Sequence, residues 1–220
     1  MKTSKLGVSL FGRGVLCKQK TKRIHLMDKQ LTFKQYRNID VGMLCLLTAV
    51  FEVLATLATS QWFAGQPIAI SITLALILIA MHRWGPLAAV VAVVGGVAFS
   101  AASSATLGHF LIYGLGNVGA LVSLLILKLF GKETVRRSFL KSLLFALCAY
   151  VGVGVGRFLV SLPFGAGFGD LVGFLATDIL SLLFAVVILY VFKDVDGLVE
   201  DQKAYLFRLE RQRKEGQADE

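Results

Sequence analysis

The chain has 220 residues, 56% of them hydrophobic, a mean hydropathy of +0.72 and a formal net charge of +9. It is too apolar for an ordinary soluble domain. The positive charge clusters between apolar blocks, which argues against a nucleic-acid footprint. Cys17, Cys45 and Cys148 are scattered with no metal or disulfide spacing, and read as small apolar fillers.

Residues 1–40 carry ten Lys and Arg side chains, and 1–26 show no clear periodicity. Met27 opens a more conventional lead-in, MDKQLTFKQYRNID, so a start at Met27 stands beside a start at Met1. The segment is too long and too basic for a typical signal peptide, and the block after it reads as a retained signal-anchor helix. Six apolar stretches come next: Val41–Ser60, Pro67–Arg83, Pro86–Ser103, His109–Leu129, Leu140–Leu162 and Asp170–Phe192. At ~1.5 Å per residue each is roughly long enough for a hydrocarbon layer of about 30 Å, the second being shortest. The sequence thus predicts an all-α fold: a polytopic bundle of six transmembrane helices over 41–192, between a basic segment 1–40 and a tail 193–220.

Six spans place 22 of the 23 Lys and Arg residues on one face, which the positive-inside rule makes cytoplasmic, with both termini. Arg157 is the exception. The outer connections, Gln61–Gln66, Ser104–Gly108 and Pro163–Gly169, are uncharged. The inner ones are a tight His82–Gly85 turn and the basic loop Gly131–Lys141. The tail from Val195 reads as a helix with a Leu198, Tyr205, Leu209 stripe, suited to a membrane surface, a partner or solvent.

Gly114-Leu115-Gly116-Asn117-Val118-Gly119 matches the dinucleotide fingerprint but sits inside a membrane-length apolar run, without the strand and water-accessible helix start that phosphate binding needs. It reads as packing glycine, as does the Gly152/Gly156 pair. The buried polar residues are more informative, because ionisable groups in a bilayer cost at least ~2.5–3.5 kcal/mol and face a bundle interior or cavity. Glu52, Asn117 and Asp178 each lie about eight residues, ~12 Å, from the outer end of a span. His109, Tyr113 and Asn117 share one helix face, as do Asp170, Phe174 and Asp178. With Arg157 and Trp62 they form a candidate ligand site opening outward. A structural ion pair between Arg157 and Glu52 or Asp178 is the competing reading. Tyr113, Phe174, Trp62, Phe63, Phe164 and Phe168 could supply rings for stacking, and Glu52 and Asp178 opposite Arg157 hint at a zwitterionic or mixed-charge ligand.

Met81–Ala101 (MHRWGPLAAVVAVVGGVAFSA) and His109–Glu133 (HFLIYGLGNVGALVSLLILKLFGKE) resemble the basic turn, third helix, fourth helix and basic loop of the substrate-binding S components of energy-coupling factor (ECF) transporters. The resemblance extends over about residues 35–193. It implies a high-affinity binder of a vitamin or similar micronutrient in a prokaryotic plasma membrane, with no cofactor of its own. ATP would be used by two cytoplasmic ATPases, joined through a transmembrane coupling protein. In that family small residues of the first helix contact the coupling protein. Ala49, Ala55 and Ala58 lack the usual AxxxA spacing, and Gly42, Cys45 and Ala49 form the smooth face instead. A self-sufficient permease or channel is the alternative. An embedded enzyme is disfavoured by the absence of a dense catalytic set, and no metal site is expected.

Overall fold

In a computed structural model the described residues are 33–63, 69–193, 195, 199, 201–208 and 211. The chain divides into units 1–38 and 39–220. Of the first, only the start of a helix is described; the second holds all the other described elements. All regular structure among the described residues is helical. Four helical runs are long and apolar enough to cross a membrane, and five if one bent pair is a single span. The molecule is a multi-pass membrane protein of the all-α class. The Met27 reading lies outside the described residues, as do residues 64–68 of the first outer connection and Leu198 and Leu209 of the tail stripe.

Helix α1 (Phe33–Trp62) starts well before Val41 and buries one stripe, Leu44, Thr48, Glu52 and Thr56, spaced four apart. Its other faces leave Met43, Leu46, Val50, Leu54 and Leu57 exposed, as expected of a lipid-facing helix. Helix α2 (Thr73–Trp84) is the opposite case. Nearly every residue from Thr73 to His82 is buried, so the shortest of the apolar stretches is the centre of the bundle. It begins at Thr73, not Pro67, because residues 69–72 are non-helical.

Gly85 ends α2 with φ +62° and a short 3₁₀ turn, Gly85–Leu87, leads into α3 (Ala88–Ala102). The run Thr73–Ala102 is continuous in composition but reverses here. A Cβ on Gly95 would overlap the Thr73 side chain, which is impossible along one straight helix, where the two lie ~33 Å apart. The hairpin vertex is clasped to α1. The Arg83 guanidinium donates to both Asp40 carboxylate oxygens, Nε–Oδ2 2.9 Å and Nη2–Oδ1 2.6 Å, and the Trp84 indole N–H also donates to Asp40.

Helix α4 (Leu107–Gly116) continues through a 3₁₀ segment, Asn117–Ser123, into α5 (Leu124–Phe130). The short α6 (Lys132–Arg137) lies inside the stretch expected as the Gly131–Lys141 loop, and α7 (Phe139–Ser161) comes after it. The glycines of the fingerprint-like run are explained by this packing. A Cβ on Gly119 would meet the Gly152 carbonyl, one on Gly152 the Gly119 carbonyl, and one on Gly156 the Gly116 carbonyl. Lipid offers no hydrophobic drive between helices, so close backbone approach supplies the dispersion that holds them.

The last apolar stretch is not one helix. It breaks at Asp178 into α8 (Phe168–Thr177) and α9 (Ile179–Phe192), bent by 43°. Asp170 and Asp178 therefore do not lie on one continuous stripe. Residues 202–208 of the tail are helical; Val199 and Gln202 are buried and Lys132 Nζ meets Asp201 Oδ2 at 2.6 Å.

Candidate functional site: a buried arginine beside two interrupted helical runs

Two non-helical points of the backbone face each other, residues 69–72 ahead of α2 and Asp178 between α8 and α9. Inside a membrane such irregular backbone must be satisfied by protein or line a cavity. Here the two interruptions satisfy each other. The Ala69 N–H donates to the Thr177 carbonyl (3.1 Å), and the Ser71 N–H to Ser181 Oγ (2.9 Å). Tyr150 Oη–H donates to the Leu175 carbonyl. Glu52 anchors the other side: its Oε2 accepts from the Ile72 N–H (3.0 Å), the Thr73 N–H (3.0 Å) and the Thr73 hydroxyl (2.8 Å). A carboxylate at the first turn of α2 complements the positive end of the helix. Its other oxygen, Oε1, is buried without a hydrogen-bond partner.

Arg157 is 5% exposed and comes from α7. Its Nε donates to Asn117 Oδ1 (3.0 Å), its Nη1 to Asp178 Oδ2, and the guanidinium lies 4.5 Å from the Tyr113 ring centre. Asn117 stands at the α4-to-3₁₀ transition and donates from Nδ2 to the Ala92 carbonyl, at a long 3.4 Å. Three helical runs thus meet at the Arg157 side chain, and Asn117 links it to a fourth through Ala92. Aromatic rings continue from it: Tyr113 contacts Phe99 (4.7 Å between centres), Phe174 (6.2 Å, edge-on) and His109 (6.2 Å, stacked).

A cavity adjoins the guanidinium, lined by polar Ser71, Thr73, Asn117, Tyr150, Arg157, Asp178 and Ser181 over an apolar floor of Leu74, Ile77 and Val153. Its empty volume is about 280 Å³ counted out to the opening. With Asp178 on Arg157, the enclosed part has room for about one water molecule. The arrangement can fix a polar group on a buried cation.

Of the residues selected from sequence, Asn117, Arg157 and Asp178 line this cavity, Tyr113 and Phe174 flank Arg157 through the rings, and Glu52 holds the Ile72–Thr73 backbone of its wall. Arg157 pairs with Asp178; Glu52 does not pair with it, and instead satisfies backbone. His109 is exposed and bonded to Thr106 Oγ1 (2.9 Å). Asp170 is exposed, its Oδ2 accepting from the Gly167 N–H at the start of α8 (2.7 Å). Trp62 is 77% exposed and distant in role from the cavity. On α1, Gly42 is exposed with open space beside it, whereas Cys45 and Ala49 are half-buried and Cys45 packs against the core. The smooth face is therefore divided between the bundle and its surroundings. Sequence reading passed over Ser71, Thr73, Tyr150 and Ser181, since lone hydroxyls in apolar runs normally bond their own helix, as Thr48 and Thr56 do here.

The described residues contain no group of three or more His, Cys, Asp or Glu side chains able to hold a metal ion. Fold and site define a helical membrane protein with a charged, buried centre. No protein-family model, curated protein or solved structure matches the chain.

Proposed function

We propose that the chain is the substrate-binding membrane subunit of an ECF-type importer, taking a vitamin or similar micronutrient from the outer face of a prokaryotic plasma membrane. The observation that carries this reading is the buried Arg157, held by Tyr113 and Asn117 from one helical run and Asp178 from another at the wall of a cavity. Buried charge of this kind marks ligand and ion sites in membrane proteins more often than it stabilises them. In this reading both arms of the Gly85 hairpin reach across, giving six passes with both termini cytoplasmic, consistent with the one-sided distribution of Lys and Arg. Energy would come from ATP hydrolysed by two partner ATPases, coupled through a transmembrane partner. The chain itself would perform no reaction.

A second reading is favoured by one observation: the non-helical backbone of residues 69–72 beside the helix broken at Asp178 is a construction used by transporters that work alone. Reconstitution separates them. The purified chain in proteoliposomes should bind its substrate without accumulating it, and accumulate it only with the coupling protein, the ATPases and ATP. Uptake by the chain alone, driven by an ion gradient, would favour the solitary permease.

A further inference from the structure

Asp178 occupies the N-cap position of α9, a place where Asp normally accepts from the amides of the first turn. Its side chain makes no such bond. It is committed to Arg157, and its backbone (φ −95°, ψ 7°) is outside the extended region that capping residues prefer. The carboxylate therefore has two homes: the guanidinium, or, once ψ of Asp178 swings into the extended region, the positive end of α9. Moving to the second would alter the 43° bend between α8 and α9, because the change falls on the hinge residue itself.

On the other side of the pair, Arg157 is held independently of Asp178. Asn117 Oδ1 fixes Nε and the Tyr113 ring lies beside the guanidinium. A carboxylate leaving Arg157 would leave a positioned cation at the wall of the cavity. The nearby acidic group on α1, Glu52, is spent on the Ile72 and Thr73 donors.

We infer that Asp178 is an internal stand-in for the ligand, and that the ligand is an organic anion whose carboxylate takes Arg157 while Asp178 turns to cap α9. This rests on the reading of the cavity as a ligand site, and narrows it from a mixed-charge to an anionic ligand. Arg binds carboxylates in a two-pronged geometry that a single Nη1 contact to Asp178 does not use fully.

The probe is benzoate, with benzylamine as the cation of matching size, titrated into the purified full chain in lipid nanodiscs and followed by saturation-transfer NMR. Benzoate should bind and benzylamine should not. Asp178→Asn should tighten benzoate by about tenfold or more, since the competitor loses its charge while its shape is kept. Asp178→Ser, which can still cap α9 but cannot reach Arg157, should do the same and guards against an effect peculiar to Asn. Arg157→Gln in the Asp178→Asn background should abolish binding without leaving a buried unpaired charge. Weaker benzoate binding in both Asp178 variants, or preference for benzylamine, would overturn the anion assignment while keeping the ligand site. Indifference of every variant to both compounds would overturn the assignment and the ligand site together.

Discussion

Replacing Glu52 tests whether the start of α2 is held by a carboxylate. Glu52 is 1% exposed and its Oε2 carries three donors, two of them backbone N–H groups at the level where the non-helical segment becomes helix. Glu52→Ala removes the acceptor and leaves those donors in a dry interior. A buried donor left unmade costs about 1–3 kcal/mol. Thr73 Oγ1 can turn and its N–H retains a contact to Ser71 Oγ at 3.2 Å, so not all three are lost in full. The net loss should be about 3–5 kcal/mol, the range seen when one member of a buried polar set is removed. Glu52→Gln keeps a carbonyl oxygen for the same donors and places its NH₂ where Oε1 has no partner, so it should cost about 1–2 kcal/mol. Thermal unfolding in detergent, reported by a thiol-reactive dye at the half-buried Cys45 and Cys148, reads the difference. At ~2–4 °C per kcal/mol this is a midpoint loss of ~6–20 °C for Ala and ~2–8 °C for Gln. Equal destabilisation by Ala and Gln, or a loss below ~0.5 kcal/mol for Ala, would refute the assigned role.

Gly119→Ala places a methyl on the Gly152 carbonyl, backbone against backbone, and should cost about 1–3 kcal/mol in the same unfolding assay, whereas Gly173→Ala, with nothing nearby, should change stability by less than ~1 kcal/mol. For Asp201, burial pushes the carboxyl upward but is outweighed by the Lys132 hydrogen bond and charge and by the Ala204 and Lys203 N–H groups, leaving it below its ordinary 3.8. A depressed carboxyl stabilises fully above its unfolded value and loses that contribution as pH falls through the folded one. Hydrogen exchange of residues 202–208 should thus be unchanged by pH above about 5, after correction for intrinsic rates, rise only below 3.8, and rise at neutral pH in Lys132→Met. Six passes require the Gly85 vertex and both termini on one face; single-cysteine labelling at 85, 105 and 166 in a cysteine-free background should protect 85 from an outside reagent and leave 105 and 166 reactive. Labelling of 85 from outside would contradict the six-pass topology.

The all-α class was legible because long apolar runs separated by charge leave little other choice in a membrane. The breaks inside those runs were not. Hydropathy registers composition, and Phe168–Phe192 is as apolar across Asp178 as an unbroken helix, so the 43° bend is set by partners distant in sequence, Arg157, Tyr150 and Ala69. The start of α2 is a similar case: nothing in Pro67–Ile72 says helix should wait for Thr73, and it is Glu52, some twenty positions earlier, that satisfies the amides there. Arg157 stood out through its isolation from the other basic residues. Its choice of Asp178 over Glu52 did not, since both lie at similar depth and only the packed structure distinguishes them.

The central claim, a binding subunit that works with separate ATPases, is tested most directly by affinity purification of the tagged chain from its native membranes in mild detergent, with mass spectrometry of the proteins and small molecules recovered. The account predicts a transmembrane partner, two ATPases and a bound metabolite. Recovery of the chain alone, under conditions in which known ATPase complexes stay intact, would contradict it.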